Sequence, residues 1–291
     1  MLPQFSHPLS PALHDAFWHI LQQNFRFQAQ AWQPLWLNGI QLGYLNTKWQ
    51  QQLSQDWQHT QHTDTHGLHL TTANWQDMGQ ALQQLARHWH DSGLFHGWRN
   101  ETFDVYDPHQ HFLFTLERSA FRPLGLHSHA IHLNGITHTP QGWRFWIGRR
   151  SPHKAVDPNK LDNLVGGGIS SGESVQQAMI RESWEEAGLP ETLLQPLSCH
   201  SRRTSLRTVA RGLHHECLHI FDLVLPHTIQ PINQDGEVAE FLLMDITELS
   251  EAMCQEQLMH DAFLALLDLF ARVGLLHHSH PLTQYLHTTA K

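Results

Sequence analysis

The chain has 291 residues, and 40% hydrophobic composition with 11 Trp and 14 Phe is enough to fill two cores. A formal charge of -9 excludes an overall basic field for nucleic acid or an anionic membrane surface, so any anionic ligand has to be held by local groups. Three cysteines, Cys199, Cys217 and Cys254, form neither a CxxC pair nor a disulfide framework, no apolar run reaches the roughly 18 residues of a membrane span, and the first residues lack a secretion signal; the expected compartment is the cytoplasm.

From the N-terminus, PALHDAFWHILQQNF has helical spacing, and PLWLNGIQLGYL is strand-like. NWQDMGQALQQLARHWHDSG has helical spacing with Met78, Leu82, Leu85 and Trp89 as its apolar stripe, and HFLFTLE is strand-like. AIHLNGITHTPQGWRFWIGRRS predicts two strands joined by a turn at Pro140 and Gly142, followed by strands at ECLHIFDLVL and EFLLM and a closing helix near MHDAFLALLDLFARVG. Eight of the eleven tryptophans precede residue 100, whereas the glycine-rich and carboxylate-rich features follow residue 120. That shift predicts an N-terminal α+β unit over 1–122, a second unit over 123–275 with a sheet covered by helices on both sides, and a C-terminal tail over 276–291. The 27 histidines are scattered and often neighbour glutamine, which reads as compositional bias, and none is assigned as a metal ligand.

The informative stretch is LVGGGISSGESVQQAMIRESWEEAGLP, from Leu164 to Pro190. Gly167 and Gly172 have the separation of a phosphate-binding loop, but Glu173 stands where that loop requires lysine. Ser170 and Glu173 have the spacing of a capping box, which predicts a helix from about residue 171 to Ala187, stopped by Gly188 and Pro190. On that helix Val175, Met179, Ile180, Ser183, Trp184 and Ala187 fall on one face, with Glu182, Glu185 and Glu186 together on an arc of about 100° beside it. Each like-charge neighbour costs roughly 0.2–0.5 kcal/mol, the helix dipole opposes anions in the last turns, and only Arg181 offers relief. The patch is either a solvated acidic face or a site for a hard divalent cation. Mg²⁺ suits a few carboxylates beside a glycine-rich segment that phosphates can approach closely.

Gly167, Glu173, Arg181, Glu182, Glu185, Glu186, Gly188 and Leu189 stand in the register G-x5-E-x7-R-E-U-x-E-E-x-G-U, and the chain here resembles the Nudix family. Ser183 departs from the aliphatic or aromatic residue usual at its position. Further segments, among them WRNETFDVYD, HAIHLNGI, KLDNLVGGG and DGEVAEF, are similar to the Nudix proteins that carry an N-terminal domain of unknown function, including the N-terminal half of fungal thiamine pyrophosphokinase and plant relatives.

The resemblance implies a Nudix α/β/α sandwich with a mixed sheet behind a small α+β domain. It also implies metal-dependent hydrolysis of a small organic diphosphate to a monophosphate and phosphate, with thiamine diphosphate or its oxidised analogues as substrate. A nucleoside diphosphate derivative is the alternative, and a diphosphate-binding module without turnover a second. Glu182, Glu185 and Glu186, with the carbonyl of Gly166, would hold Mg²⁺ or Mn²⁺, and Arg181 would orient the glutamates. Glu173 would be structural. Glu237 or Glu240 would supply a later-loop carboxylate. Arg149, Arg150, Lys154 and Lys160 are candidates for diphosphate contact, beside Gly167 and Gly168. The oligomeric state is left open.

Overall fold

A computed structural model describes residues 2–154 and 156–289. In chain order the elements begin with helix α1 (Pro11–Asn24), strands β1 (Gln33–Leu37) and β2 (Ile40–Leu45), helix α2 (Thr47–Asp56), strands β3 (Thr60–Asp64) and β4 (Gly67–Thr71), and helix α3 (Trp75–Asp91). Strands β5 (Thr102–Tyr106) and β6 (Phe112–Glu117) and the short helix α4 (Phe121–Leu124) complete the first part. The second part contains β7 (Ser128–Thr139), β8 (Gly142–Arg150), β9 (Leu161–Asp162), β10 (Val165–Gly168), helices α5 (Val175–Ala187) and α6 (Glu191–Leu194), and strands β11 (Ser201–Val209), β12 (Gly212–Val224) and β13 (Val238–Met244). Helices α7 (Ile246–Cys254), α8 (His260–Arg272) and α9 (Pro281–Thr288) close the chain.

The first sheet has the order β2-β1-β4-β3. Met78, Leu82, Leu85 and Trp89, the expected stripe of α3, are buried with Leu35, Leu37, Leu68 and Leu70 of that sheet. Trp49 and Trp89 meet in this core as a tilted pair with ring centroids 5.1 Å apart. The second sheet is mixed, in the order β11-β12-β7-β8-β13, with β12 parallel to β7, β10 added to β7 and β9 added to β8. Residues alternate across its strands, so Ile131, Leu133 and Phe221 face α5 while Ala130, Leu218 and Ile220 face α8. Helices therefore cover both faces, as expected.

Three particulars differ from the sequence expectation. Gly166 to Gly168 are not a loop but strand β10, paired antiparallel with Ala130 to His132 through backbone groups alone. Helix α5 starts at Val175, about four residues later than expected. Its N-cap is Ser174, whose capping box is completed by Gln177, an arrangement that stabilises such a helix by about 1 kcal/mol. It stops where expected, with Gly188 left-handed at φ +62°. Finally, the chain ends do not follow the expected division. Phe17 and Leu21 of α1 pack with Phe263 and Phe270 of α8, and the segment expected to be a tail forms α9, which buries Leu282 and Leu286 in the same core.

Candidate active site

Helix α5 lies against β10, which places its carboxylates at the glycine strand. Glu182 packs so closely on Gly167 that a Cβ there would sit 2.0 Å from its carboxyl carbon, which is why this position holds glycine. The Gly166 N–H donates to Glu186 Oε2 at 2.9 Å. Arg181 Nη1 donates to Glu182 Oε1 at 2.8 Å and Glu185 Oε2 at 3.1 Å. Burial pushes the Glu182 carboxyl up, against the pull of Arg181. Glu186 is buried, and burial together with the Glu182 charge pushes its carboxyl up to about 8. The expected face of α5 holds for Met179, Ser183 and Ala187, but Trp184 is 56% exposed and Glu186 is buried instead.

Glu173 is not a helix cap. It still accepts from the Ser170 backbone N–H at 3.2 Å, but its principal partner is Arg181, which donates from Nε at 2.6 Å and Nη2 at 2.7 Å. Arg181 also donates to the Gly168 carbonyl at 3.3 Å and so links β10 to the carboxylate patch.

Gly166 to Gly168, Arg181, Glu182 and Glu185 line a cleft of about 460 Å³; Glu173 and Glu186 do not line it. Among the later carboxylates, Glu237 lines this cleft and ion-pairs with Lys154, whose Nζ is also 3.9 Å from Glu186. Glu240 is paired with Arg149 at 2.5 Å on the far edge of the sheet, and neither residue lines the cleft. Lys160 is outside it as well. Arg150 lines the cleft, but its guanidinium is committed to Asp162 at 2.8 Å and to the Val156 carbonyl at 3.0 Å.

The opposite wall comes from the first part of the chain. Arg99, Arg118 and Arg122 line the cleft with Arg211 at the start of β12. Arg118 pairs with Glu101 at 2.8 Å, and Arg99 reaches Glu237 at 3.8 Å. Arg122 makes no hydrogen bond or close ion pair among the described residues, and burial holds its guanidinium below the ordinary value. The Arg211 guanidinium is lowered likewise, by burial first and then by Arg122 and Arg118. No tryptophan lines the cleft. The aromatic rings there are Phe103 and Phe121, and the Phe103 ring lies so near Gly168 that a Cβ would meet it at 2.5 Å. Strand β5 also fastens the turn before α5: Ser170 Oγ donates to Glu101 at 2.9 Å and Ser171 Oγ to Asp104 at 2.5 Å. The arginines escaped the sequence reading because they arrive from separate elements. The segment WRNETFDVYD, which contains Arg99, Glu101, Phe103 and Asp104, was the available signal.

The donor set suits a hard divalent cation. Glu182, Glu185 and Glu186 project from one helix beside β10, Glu182 and Glu185 sharing Arg181, with protonation of Glu182 and Glu186 favoured by burial and Lys154 supplying the nearby positive charge. The cleft is thus lined by carboxylates of α5 and by arginines from separate elements.

Residues 134–265 match the family model described as NUDIX domain, and residues 16–128 match that of a domain of unknown function, DUF4743. The later segment is therefore similar to Nudix domains, and the earlier segment that precedes it to DUF4743 domains. It is 32% identical to Nudix hydrolase 24, chloroplastic, of Arabidopsis thaliana over 66% of this chain and 53% of that protein. It is 29% identical to Nudix hydrolase 20, chloroplastic, of the same plant over 64% of this chain and 50% of that protein. The chain thus spans about half the length of the curated relatives it matches. A crystal structure from Deinococcus radiodurans superposes with a TM-score of 0.43 and 23% identity, covering 57% of this chain and 96% of that one. Neither Arabidopsis relative is named for thiamine, and similarity to thiamine pyrophosphokinase is not among these findings. No helix among the described residues is long and apolar enough to cross a membrane.

Proposed function

We propose that this protein hydrolyses an organic diphosphate to a monophosphate and phosphate, with Mg²⁺ or Mn²⁺ held by Glu182, Glu185 and Glu186 and the carbonyl of Gly166. The observation that supports the reading is that Glu182 and Glu185 line one cleft with the glycine strand and with Arg99, Arg118, Arg122 and Arg211, while Glu186 accepts from the Gly166 N–H behind them. A divalent cation held there would supply charge neutralisation at the diphosphate oxygens. Arg181, fixed by Glu173, holds the Glu182 and Glu185 carboxylates in one orientation. Gly167 and Gly168, the expected phosphate contacts, instead let the Glu182 carboxylate and the Phe103 ring pack directly on β10. Glu237, in the cleft, is the later carboxylate that orients the attacking water and takes its proton; Glu240 has no part. Lys154 exchanges its carboxylate partners for a phosphate oxygen when the cation binds. Arg149 and Lys160 do not contact substrate.

The arginine wall narrows the organic group. A cationic thiazolium, as in intact thiamine diphosphate, is repelled there, whereas its oxidised analogues that have lost that charge, and nucleoside diphosphate derivatives, are not. The thiamine-type reading rests on resemblance alone and is therefore restricted to the neutral analogues; nucleoside diphosphate derivatives are the second reading, favoured by the same arginines. Competition between thiamine diphosphate, an oxidised neutral analogue and ADP-ribose in one Mg²⁺ assay tests this. Turnover of a neutral or anionic organic group at least tenfold above thiamine diphosphate, about 1.4 kcal/mol of discrimination, is expected, and preference for the cationic substrate overturns the role given to the arginines.

A further inference from the structure

Beyond the diphosphate cleft, the central sheet carries a second constellation of ligating side chains. Strands β7 and β12 run parallel with Cys217 opposite His129 and His219 opposite Ile131. Alternation puts His129, Cys217 and His219 on one face of the sheet, the face that carries α5. Ser128, Ala130 and Glu216 turn the other way and line the cleft. One ligand atom from each of His129, Cys217 and His219 lies within 4.8 Å of the other two, and His129 Nδ1 is 3.1 Å from His219 Nε2. Ligand atoms around a tetrahedral zinc ion stand about 3.5 Å apart, so the two imidazoles already span one edge of such a polyhedron.

We propose that His129, Cys217 and His219 form a binding site for a borderline-soft divalent ion of the Zn²⁺ class, separate from the hard-cation site on α5. A hard ion such as Mg²⁺ has no oxygen ligand here, whereas thiolate and imidazole are the donors that Zn²⁺ selects. His219 is 4% exposed; its Nε2 meets His129 Nδ1, and its Nδ1 has no hydrogen-bond partner among the described residues. Burial disfavours a positive charge on both imidazoles. On binding, the Cys217 thiol releases its proton to solvent and coordinates as thiolate. Arg202 lies within electrostatic reach of both histidines and opposes a bare dication, which makes the thiolate the ligand on which the site depends. His127, with its ring 4.9 Å from that of His129, is placed to complete the set. The ion would clamp the two strands whose opposite faces line the cleft.

Cobalt substitution in the full chain tests the assignment. With Co²⁺ the wild-type protein shows a thiolate-to-cobalt charge-transfer band, which Zn²⁺ abolishes on displacing the cobalt. Cys217→Ser loses the band, while Cys199→Ser and Cys254→Ser keep it. His129 is half-buried, so His129→Gln provides a variant that folds without depending on the buried thiol. Loss of an outer partner of a metal ligand already costs about 10–100-fold in affinity, so His129→Gln is expected to weaken Zn²⁺ at least tenfold in chelator competition. No band in the wild type, a band that survives Cys217→Ser, or unchanged zinc affinity in His129→Gln overturns the proposal.

Discussion

Glu173 grips Arg181 with both carboxylate oxygens, at 2.6 Å to Nε and 2.7 Å to Nη2, eight residues before it in the chain. The guanidinium so fixed has its Nη1 free for Glu182 and Glu185. Glutamine offers one acceptor and a donor in place of two acceptors, so it cannot replace this fork. Glu173→Gln is expected to lower kcat at least about tenfold while costing at most about 1 kcal/mol of stability, since the pair is partly solvated. Arg181 holds the Glu173 carboxyl below its ordinary value, so the stability this pair contributes is present above about pH 4.5 and lost as pH falls through the lower folded value. Wild-type kcat in Glu173→Gln, measured with saturating Mg²⁺, contradicts the positioning role.

Glu186 behaves in the opposite sense. Its carboxyl titrates at 4.5 when unfolded and at about 8 in the fold. Between these values the folded protein binds a proton that the unfolded chain has released, so metal-free stability contributed by this group falls as pH rises through the window. Glu186→Gln removes that slope. Denaturant unfolding without metal is expected to show the variant equal to wild type near pH 5 and more stable near pH 8. Parallel pH profiles for the two proteins contradict this.

Gly167 tests the packing of β10 on α5. An alanine methyl would stand 2.0 Å from the Glu182 carboxyl carbon, so the side chain has to move and with it the cation site. Gly167→Ala is expected to weaken Mg²⁺ activation at least about tenfold, roughly 1.4 kcal/mol, with little effect on the fold, because β10 pairs through its backbone. A Mg²⁺ dependence of activity identical to that of wild type contradicts the close approach of Glu182 as a functional constraint.

Much of the site was legible because its spacing is helical. Glu182, Glu185 and Glu186 form a patch on any helix over those residues, and the glycines before them match a register that the structure assembles around Gly167. The start of α5 was misread because Ser170-x-x-Glu173 and Ser174-x-x-Gln177 carry the same capping pattern four residues apart; only the second is a cap, since the Glu173 carboxylate is drawn to Arg181. Strand β10 was read as a loop because glycines carry no alternation of apolar side chains, and its pairing rests on backbone bonds to β7. Arg99, Arg118, Arg122 and Arg211 have no local pattern at all. They meet because α4 packs on β12 and β5 on β7, a long-range arrangement that composition and periodicity do not encode. The packing of α1 against α8 was hidden for the same reason.

Arg122 separates substrate binding from chemistry. Lining the cleft without a close partner among the described residues, it is available for an anionic group. Arg122→Ala is expected to raise KM about tenfold with kcat within threefold, the pattern of an interaction made equally in ground and transition states. A fall in kcat at unchanged KM places Arg122 at the reacting phosphate instead.

The central claim is that the α5 carboxylates support diphosphate hydrolysis. Phosphorus NMR of organic diphosphates incubated with Mg²⁺ and wild-type protein, Glu182→Gln or Glu185→Gln tests it most directly. With the wild type, Mg²⁺-dependent cleavage is predicted to give a monophosphate and inorganic phosphate from a terminal diphosphate, or two monophosphates from a diphosphate that joins two organic groups, with a loss of at least about a hundredfold, roughly 2.7 kcal/mol of transition-state stabilisation, in either variant that remains folded. Turnover that survives in both variants, or that proceeds equally in chelator, contradicts it.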